Sequence, residues 1–338
     1  MTGEPTVLII GQLPDPHIDA VVRELKELGA SPILFNRIRP EESGLTYWLE
    51  GGRADGDIVT EQGRIRLSEL NAVWWRVKPF TLAEYGAEPI PVIEGFVERE
   101  WRSVLGSLNA FTPQAFWMNP RETDLVAREK PIQLRAAQRV GLAVPPTCIS
   151  NVPEAVAVFV SEEAQFIYKP VTWYADGPGR FVFTSQVQLD EVRYGADEIQ
   201  VAPGIFQRRI AKAYEVRATV VRESLFAVKI HSQETAGAEL DWRRRQHQVS
   251  YSAHVLPDDV GERLLNLQED LGLIYGAYDL VVTPEGEYVF LEVNPSGQWL
   301  WLELQTGAPI SRAVAECLMR GAPQLDPSRI GGLADASF

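Results

Sequence analysis

The chain has 338 residues, 45% hydrophobic and 23% charged, a balance that suits a soluble globular protein of two or three subdomains. Its formal net charge of −14 argues against a non-specific nucleic-acid binder, which needs a basic surface to neutralise phosphates. Cys148 and Cys317 are too few for a disulfide framework, no apolar run reaches membrane-spanning length, and Met1-Thr2-Gly3-Glu4-Pro5 lacks a signal peptide's basic start. A cytoplasmic protein with no nucleic-acid or membrane partner is therefore expected.

Val7-Leu8-Ile9-Ile10 reads as a short buried strand ending at Gly11. Asp15-Pro16 supplies an N-cap and a first-turn proline for a helix carrying Val21, Val22, Leu25 and Leu28, which Gly29 stops. With the strand Pro32–Phe35 this makes a β-α-β start and predicts a parallel sheet. Asp15-x-His17-x-Asp19 has metal-like spacing, but on an amphipathic helix start it reads as a cap plus a solvated face. Ala72–Arg76 is a further strand, and a helix through Phe96, Trp101 and Leu108 closes a first domain, 1–115. A central block, 116–203, holds a helix over 122–140, a strand after Val144-Pro145-Pro146-Thr147, a helix over 153–160 and a strand at 165–170. A turn through Gly177-Pro178-Gly179 and a strand at 181–184 follow. A third block, 204–325, carries strands at 205–210, 214–221, 225–231 and 248–252, a helix over 258–271, a hairpin and a helix over 308–320; 326–338 is a tail.

The hairpin is the most informative stretch. Tyr278–Val282 and Tyr288–Pro295 flank a Pro/Gly turn, and a turn centred between Glu285 and Gly286 sets Asp279 across from Glu292. Asn294 falls on the same face by strand alternation. Facing carboxylates repel, and among Val281, Val282, Phe290, Leu291 and Val293 stray charge is costly, which favours a hard divalent cation between them over an exposed polar face. Lys130 and Lys169 differ from solvated lysines: Lys169 closes the apolar strand Phe166-Ile167-Tyr168, where its partner is a nucleotide phosphate or a structural ion pair. Glu215 and Arg217 share one strand face, and Asp241-Trp242-Arg243 repeats the acid-x-Arg pattern. The run Arg243-Arg244-Arg245 reads either as an anion-binding set of forked donors or as a solvated loop. The extended segment Ile205–Ile210 could take a purine edge on its backbone, or be a plain strand.

Lys130, Ile167-Tyr168-Lys169-Pro170, Phe206-Gln207, Glu215-Val216-Arg217, Asp279 and Glu292-Val293-Asn294-Pro295 together resemble the ATP-grasp signature in order and spacing. Within that superfamily the chain resembles the maturases of microviridin-type cross-linked peptides, the graspetides. The narrower likeness lies in Val7–Asp19, Val73-Trp74-Trp75-Arg76, the run Asn119–Asn151 and Glu292–Trp301. It implies an α/β (α+β) ATP-grasp fold behind an N-terminal pre-ATP-grasp βαβ domain, with ATP and Mg2+ as cofactors. It further implies Lys130 and Lys169 on the phosphates, Gln207 and the backbone near Arg208 and Ile210 on adenine, and Asp279, Glu292 and Asn294 on Mg2+. Lys229 would be a phosphate-facing base, with Glu215, Arg217, Asp241 and Arg243 around the reacting side chains. Pro178 departs from the flexible phosphate-covering loop of that pattern. The implied activity joins Asp or Glu side chains of a ribosomal precursor, bound by leader and core, to Ser/Thr hydroxyls or Lys amines, in a homodimer. Two other functions share the same residues: a ligase adding an amino acid to a peptide or protein end, and a non-catalytic nucleotide or peptide binder. The acidic stretch Gln188–Glu191 reads as a solvated loop rather than a leader site.

Overall fold

The computed structural model describes residues 4–36, 43–77, 91–160, 164–172 and 184–321; the expected Gly177-Pro178-Gly179 turn, most of the strand at 181–184 and the tail lie outside them. The N-terminal part is built on β1 (Thr6–Gly11), α1 (Pro16–Glu27) and β2 (Ser31–Asn36). The strands β3 (Gly44–Glu50), β4 (Arg53–Thr60) and β5 (Gly63–Arg66) form a separate antiparallel sheet. After β6 (Ala72–Trp75), α2 (Pro91–Gly106) and β7 (Phe116–Met118), a parallel sheet is complete in the order β2-β1-β6-β7. β7 thus lies beyond the expected border at 115. Alternation decides the packing: Val7 and Ile9 face one core with α1, and Leu8 and Ile10 face another with Ile58 and Leu67.

The central part runs through α3 (Arg121–Ala127), α4 (Lys130–Arg139), β8 (Thr147–Ser150), α5 (Pro153–Phe159), β9 (Phe166–Lys169) and β10 (Ser185–Val187). It ends with α6 (Leu189–Tyr194), α7 (Ala196–Val201) and β11 (Gly204–Arg208). The single helix expected over 122–140 is two, because Pro131 starts a new one at the second position of α4. Gln188–Glu191 is not a loop: Gln188 and Glu191 form a capping box that opens α6. The sheet order is β10-β9-β11-β8. Phe166, Tyr168, Cys148 and Phe206 pack against the helices, leaving Lys169, Ile205, Gln207 and Thr147 on the other face.

The C-terminal part comprises β12 (Tyr214–Val221), β13 (Ser224–Ile230), β14 (Tyr251–His254), α8 (Asp258–Asp270), β15 (Tyr275–Val282), β16 (Tyr288–Asn294), α9 (Leu300–Thr306) and α10 (Ile310–Arg320). Its antiparallel sheet has the order β14-β13-β12-β15-β16. Helices α3, α4 and α8 cover one face through Val216, Ala218, Leu280 and Phe290. At the Tyr275 end of the other face, Val221, Val228 and Ala277 join one core with α1, α10 and the N-terminal sheet. The remainder of that second face carries the charged residues described next. Among the described residues, no helix is long and apolar enough to cross a membrane.

Candidate active site

Asp279 and Glu292 are paired across β15 and β16, and Ala277 is paired with Asn294. The route differs from the one the sequence suggests. The turn is centred on Glu285, so that Val282 meets Tyr288 and Leu280 meets Phe290, and a bulge between Asp279 and Leu280 then restores the acid pair. The neighbouring strand places Arg217 beside Asp279. Arg217 Nη1 donates to Asp279 Oδ1 at 2.8 Å, with both side chains buried. Arg243 Nη2 bridges the two acids, 2.6 Å from Asp279 Oδ2 and 2.8 Å from Glu292 Oε1.

Lys130, at the start of α4, lies 3.7 Å from Glu292 Oε2 and donates to the Pro170 carbonyl at 3.2 Å. It thereby ties the C-terminal hairpin to the end of β9. Burial pulls the Lys169 ammonium down to about 8, with Lys130 and Arg243 adding to the fall and Glu292 opposing it. Burial pushes the Glu292 carboxyl up, but Arg243, Lys130 and Lys169 outweigh it and hold the group at about 2. Glu292 therefore stays ionised among Arg243, Lys130 and Lys169.

Glu215 is buried on the same sheet face as Arg217. Its Oε1 accepts from the Lys212 ammonium, and from Ser232 Oγ at 3.1 Å. Burial raises its pKa despite these partners, the direction that suits a proton acceptor working near neutrality. Asp241 is buried, accepts from Arg243 N at 3.1 Å, and so opens the short turn that carries the Arg243 side chain. Gln207 is buried on the face of the central sheet opposite its helices; its Nε2 donates to Thr147 Oγ1 at 2.9 Å, while Oε1 has no hydrogen-bond partner. Arg208 follows at the strand end, exposed, its N–H bonded to the Pro146 carbonyl at 3.0 Å, and Ile210 is half-buried. Asn294 is exposed, with Oδ1 accepting from Ser296 N at 3.0 Å.

Lys229 is not among the residues brought to this cluster. Lys229 is paired with Val216, so its side chain lies on the opposite, helix-covered face, with Nζ 4.0 Å from the centroid of the Tyr214 ring. The parity of β12 separates it from Arg217, and the phosphate-facing role is withdrawn. Other residues support the cluster without having been singled out for that purpose. Gln133 reads the β16 backbone as a strand partner would: Nε2 donates to Val293 O at 2.8 Å and Oε1 accepts from Val293 N at 3.0 Å, next to Glu292. Lys212 is the counter-charge of Glu215. The acid at Glu215 was the available signal for a nearby cation.

Among the described residues no group of three or more His, Cys, Asp or Glu side chains gathers as a metal cage. Two facing carboxylates and an amide oxygen are the available donors. They fit a small hard cation that draws its remaining ligands from water and phosphate.

No family model and no curated protein matches the chain. Solved structures do. The macrocyclase MdnC of Microcystis aeruginosa MRC, bound with its precursor peptide MdnA, is 33% identical with a TM-score of 0.82, over 94% of this chain and 100% of that one. A RiPP-associated ATP-grasp ligase of Chryseobacterium gregarium, in complex with ADP and a leader and core peptide, is 28% identical with a TM-score of 0.82, over 94% and 98%. The macrocyclase MdnB of Microcystis aeruginosa MRC is 29% identical with a TM-score of 0.76, over 94% and 100%.

Proposed function

The chain belongs to the ATP-grasp ligases that macrocyclise ribosomally made peptides, and we propose that it activates Asp or Glu side chains of a precursor peptide with ATP and closes them onto Ser/Thr hydroxyls or Lys amines. The observation that carries this reading is the convergence of Lys130 and Lys169 from the central part of the fold, and of Arg217 and Arg243 from the C-terminal part, on the facing acids Asp279 and Glu292.

A carboxylate is a poor electrophile. Its oxygen attacks the γ-phosphorus of ATP, ADP leaves, and the resulting acyl phosphate is open to an intramolecular nucleophile. Phosphoryl transfer of this kind depends mostly on positioning and on neutralising charge at the transferring group. Lys130 and Lys169 are assigned to the phosphates, and Gln207 with the backbone near Arg208 and Ile210 to adenine, where the unpartnered Oε1 of Gln207 suits an exocyclic amine. Asp279, Glu292 and Asn294 would hold Mg2+, which supplies further charge neutralisation. Arg217 and Arg243 hold the substrate carboxylate as forked donors. Glu215 takes the proton of the attacking hydroxyl or amine, with Asp241 keeping Arg243 in place. Phosphate then leaves and an ester or amide remains. A homodimeric state and a cytoplasmic location are kept as part of this proposal, the latter on the two free cysteines.

The test is to incubate the protein with ATP, Mg2+ and precursor peptides rich in Thr/Ser and Asp/Glu, and to weigh the products. Loss of one water per ring with ADP release supports macrocyclisation. Addition of an amino-acid mass identifies an end-adding ligase instead, and nucleotide binding without ADP release identifies a binder.

A further inference from the structure

The Asp15-x-His17 motif is a cap, as its sequence suggests, but it is not a solvated face. Asp15 is 2% and His17 5% exposed. Asp15 Oδ1 accepts from His17 N at 2.9 Å and lies 2.9 Å from His17 Nδ1, while Oδ2 accepts from Arg76 Nε at 2.8 Å. On the far side of the ring, Trp299 N and Leu300 N both donate to His17 Nε2 at 3.1 Å. Two N–H donors aimed at Nε2 require a lone pair there, so Nδ1 carries the proton and donates a hydrogen bond to Asp15 Oδ1. The Trp299 ring lies edge-on to the imidazole at 4.7 Å between centroids, with the Arg76 guanidinium 5.1 Å from the Trp299 ring centroid.

The residues held in this way belong to the segment that follows Asn294. Asn119 Nδ2 donates to Pro295 O at 2.9 Å, and Tyr275 Oη donates to Gly297 O at 2.8 Å. Gly297 packs directly on the arginine of the active site: a methyl group there would stand 2.7 Å from Arg217 Nη2 and would collide with Ala277 Cβ. Gly297, two residues before the first of the amides that His17 grips, is therefore one wall of the Arg217 side chain.

We propose that His17, from the N-terminal domain, is a positioning residue for ligation: oriented by Asp15 and Arg76, it fixes the Gly297–Leu300 backbone and so aims the Arg217 guanidinium at the reacting carboxylate. The proposal rests on the macrocyclase reading above, since it names what Arg217 is aimed at. Small displacements of a positioning group lower the rate without removing the binding energy of remote substrate parts.

The test is a double-mutant cycle in the full chain, reading ring formation and the KM for ATP. His17→Leu is expected to lower turnover about 10²-fold with the KM for ATP within about threefold of wild type. His17→Gln, which keeps an acceptor oxygen, should recover part of that loss. In an Arg217→Lys background, His17→Leu should add less than about threefold, because both changes remove one interaction. Equal multiplicative losses in the two backgrounds would overturn the proposal, as would a rise in KM for ATP as large as the fall in turnover. Should His17→Leu fail to fold, Gly297→Ala displaces the same wall from the other side, and its loss should likewise shrink in the Arg217→Lys background; additivity there defeats the proposal. A wild-type protein that releases ADP but closes no ring defeats the macrocyclase reading, and the same cycle is then read on ADP release, which keeps the two failures apart.

Discussion

The two faces of the C-terminal sheet are made by the same strands and have opposite chemistry. Along β12, Val216, Ala218 and Val220 pack under α4 and α8, whereas Glu215 and Arg217 alternate with them onto the other face, beside Asp279. The first face is stable by burial alone. The second holds buried charge that is tolerable only as a set, since removing one partner of a buried pair leaves an uncompensated ion, at a cost of about 3–5 kcal/mol. One face is thus organised for packing and the other for a ligand that brings negative charge, and each can be perturbed separately.

The largest effect is expected at the acids. Glu292→Gln or Asp279→Asn should reduce ring formation by about 10³-fold or more, by analogy with loss of one preorganised electrostatic group. Circular dichroism should still report a folded protein, because the five strands keep their hydrophobic face. Full activity in either variant would remove the acids from the site. Arg217→Ala comes next: ring formation falls by about 10²–10³-fold, while calorimetry shows ATP affinity little changed. A lost nucleotide affinity with intact turnover would move Arg217 to the phosphates. The melting temperature should also fall, since Asp279 is 6% exposed and would keep only Arg243 as a close cationic partner.

Much of the charged face was legible in sequence because charge inside apolar β-runs is rare and strand parity is simple. The acid pair survived a misplaced turn centre only because the bulge at Asp279/Leu280 compensates for it. Other features have local signals of their own. β3 to β5 are announced by Leu45-Thr46-Tyr47-Trp48-Leu49 and by Gly51-Gly52, both at positive φ in the turn. The break between α3 and α4 is announced by Pro131. The contacts of Gln133 with Val293 and of His17 with Trp299 have no local signature. They join residues 160 and 282 positions apart, and only the assembled fold brings them together.

The charged face also predicts a pH dependence of intermediate size. With Lys169 at about 8, its ammonium is present at neutral pH and lost as the pH rises through that value. Bound triphosphate favours the charged form, so ATP affinity should weaken between pH 7.5 and 9.5, by up to about tenfold for each unit by which binding raises the pKa. Arginine stays charged throughout, so Lys169→Arg should flatten the profile. A wild-type profile already flat over that range would mean that Lys169 does not face the phosphates.

The smallest effect is expected on the opposite face. The Lys229 ammonium stacks on Tyr214 and neighbours His254, whose pKa is lowered first by burial and then by that charge. Lys229→Met keeps the aliphatic stem against the ring and removes only the cation–π attraction, about 0.5–1 kcal/mol at a partly exposed site. The melting temperature should therefore shift by a few degrees at most, and the His254 imidazole should titrate at higher pH once the neighbouring charge is gone. Ring formation and the KM for ATP should stay within about threefold of wild type, the range left for changes that reach the site only through packing. A loss as large as that of Glu292→Gln would mean that Lys229 reaches the phosphates after all, and that the strand parity separating the two faces does not govern the working enzyme.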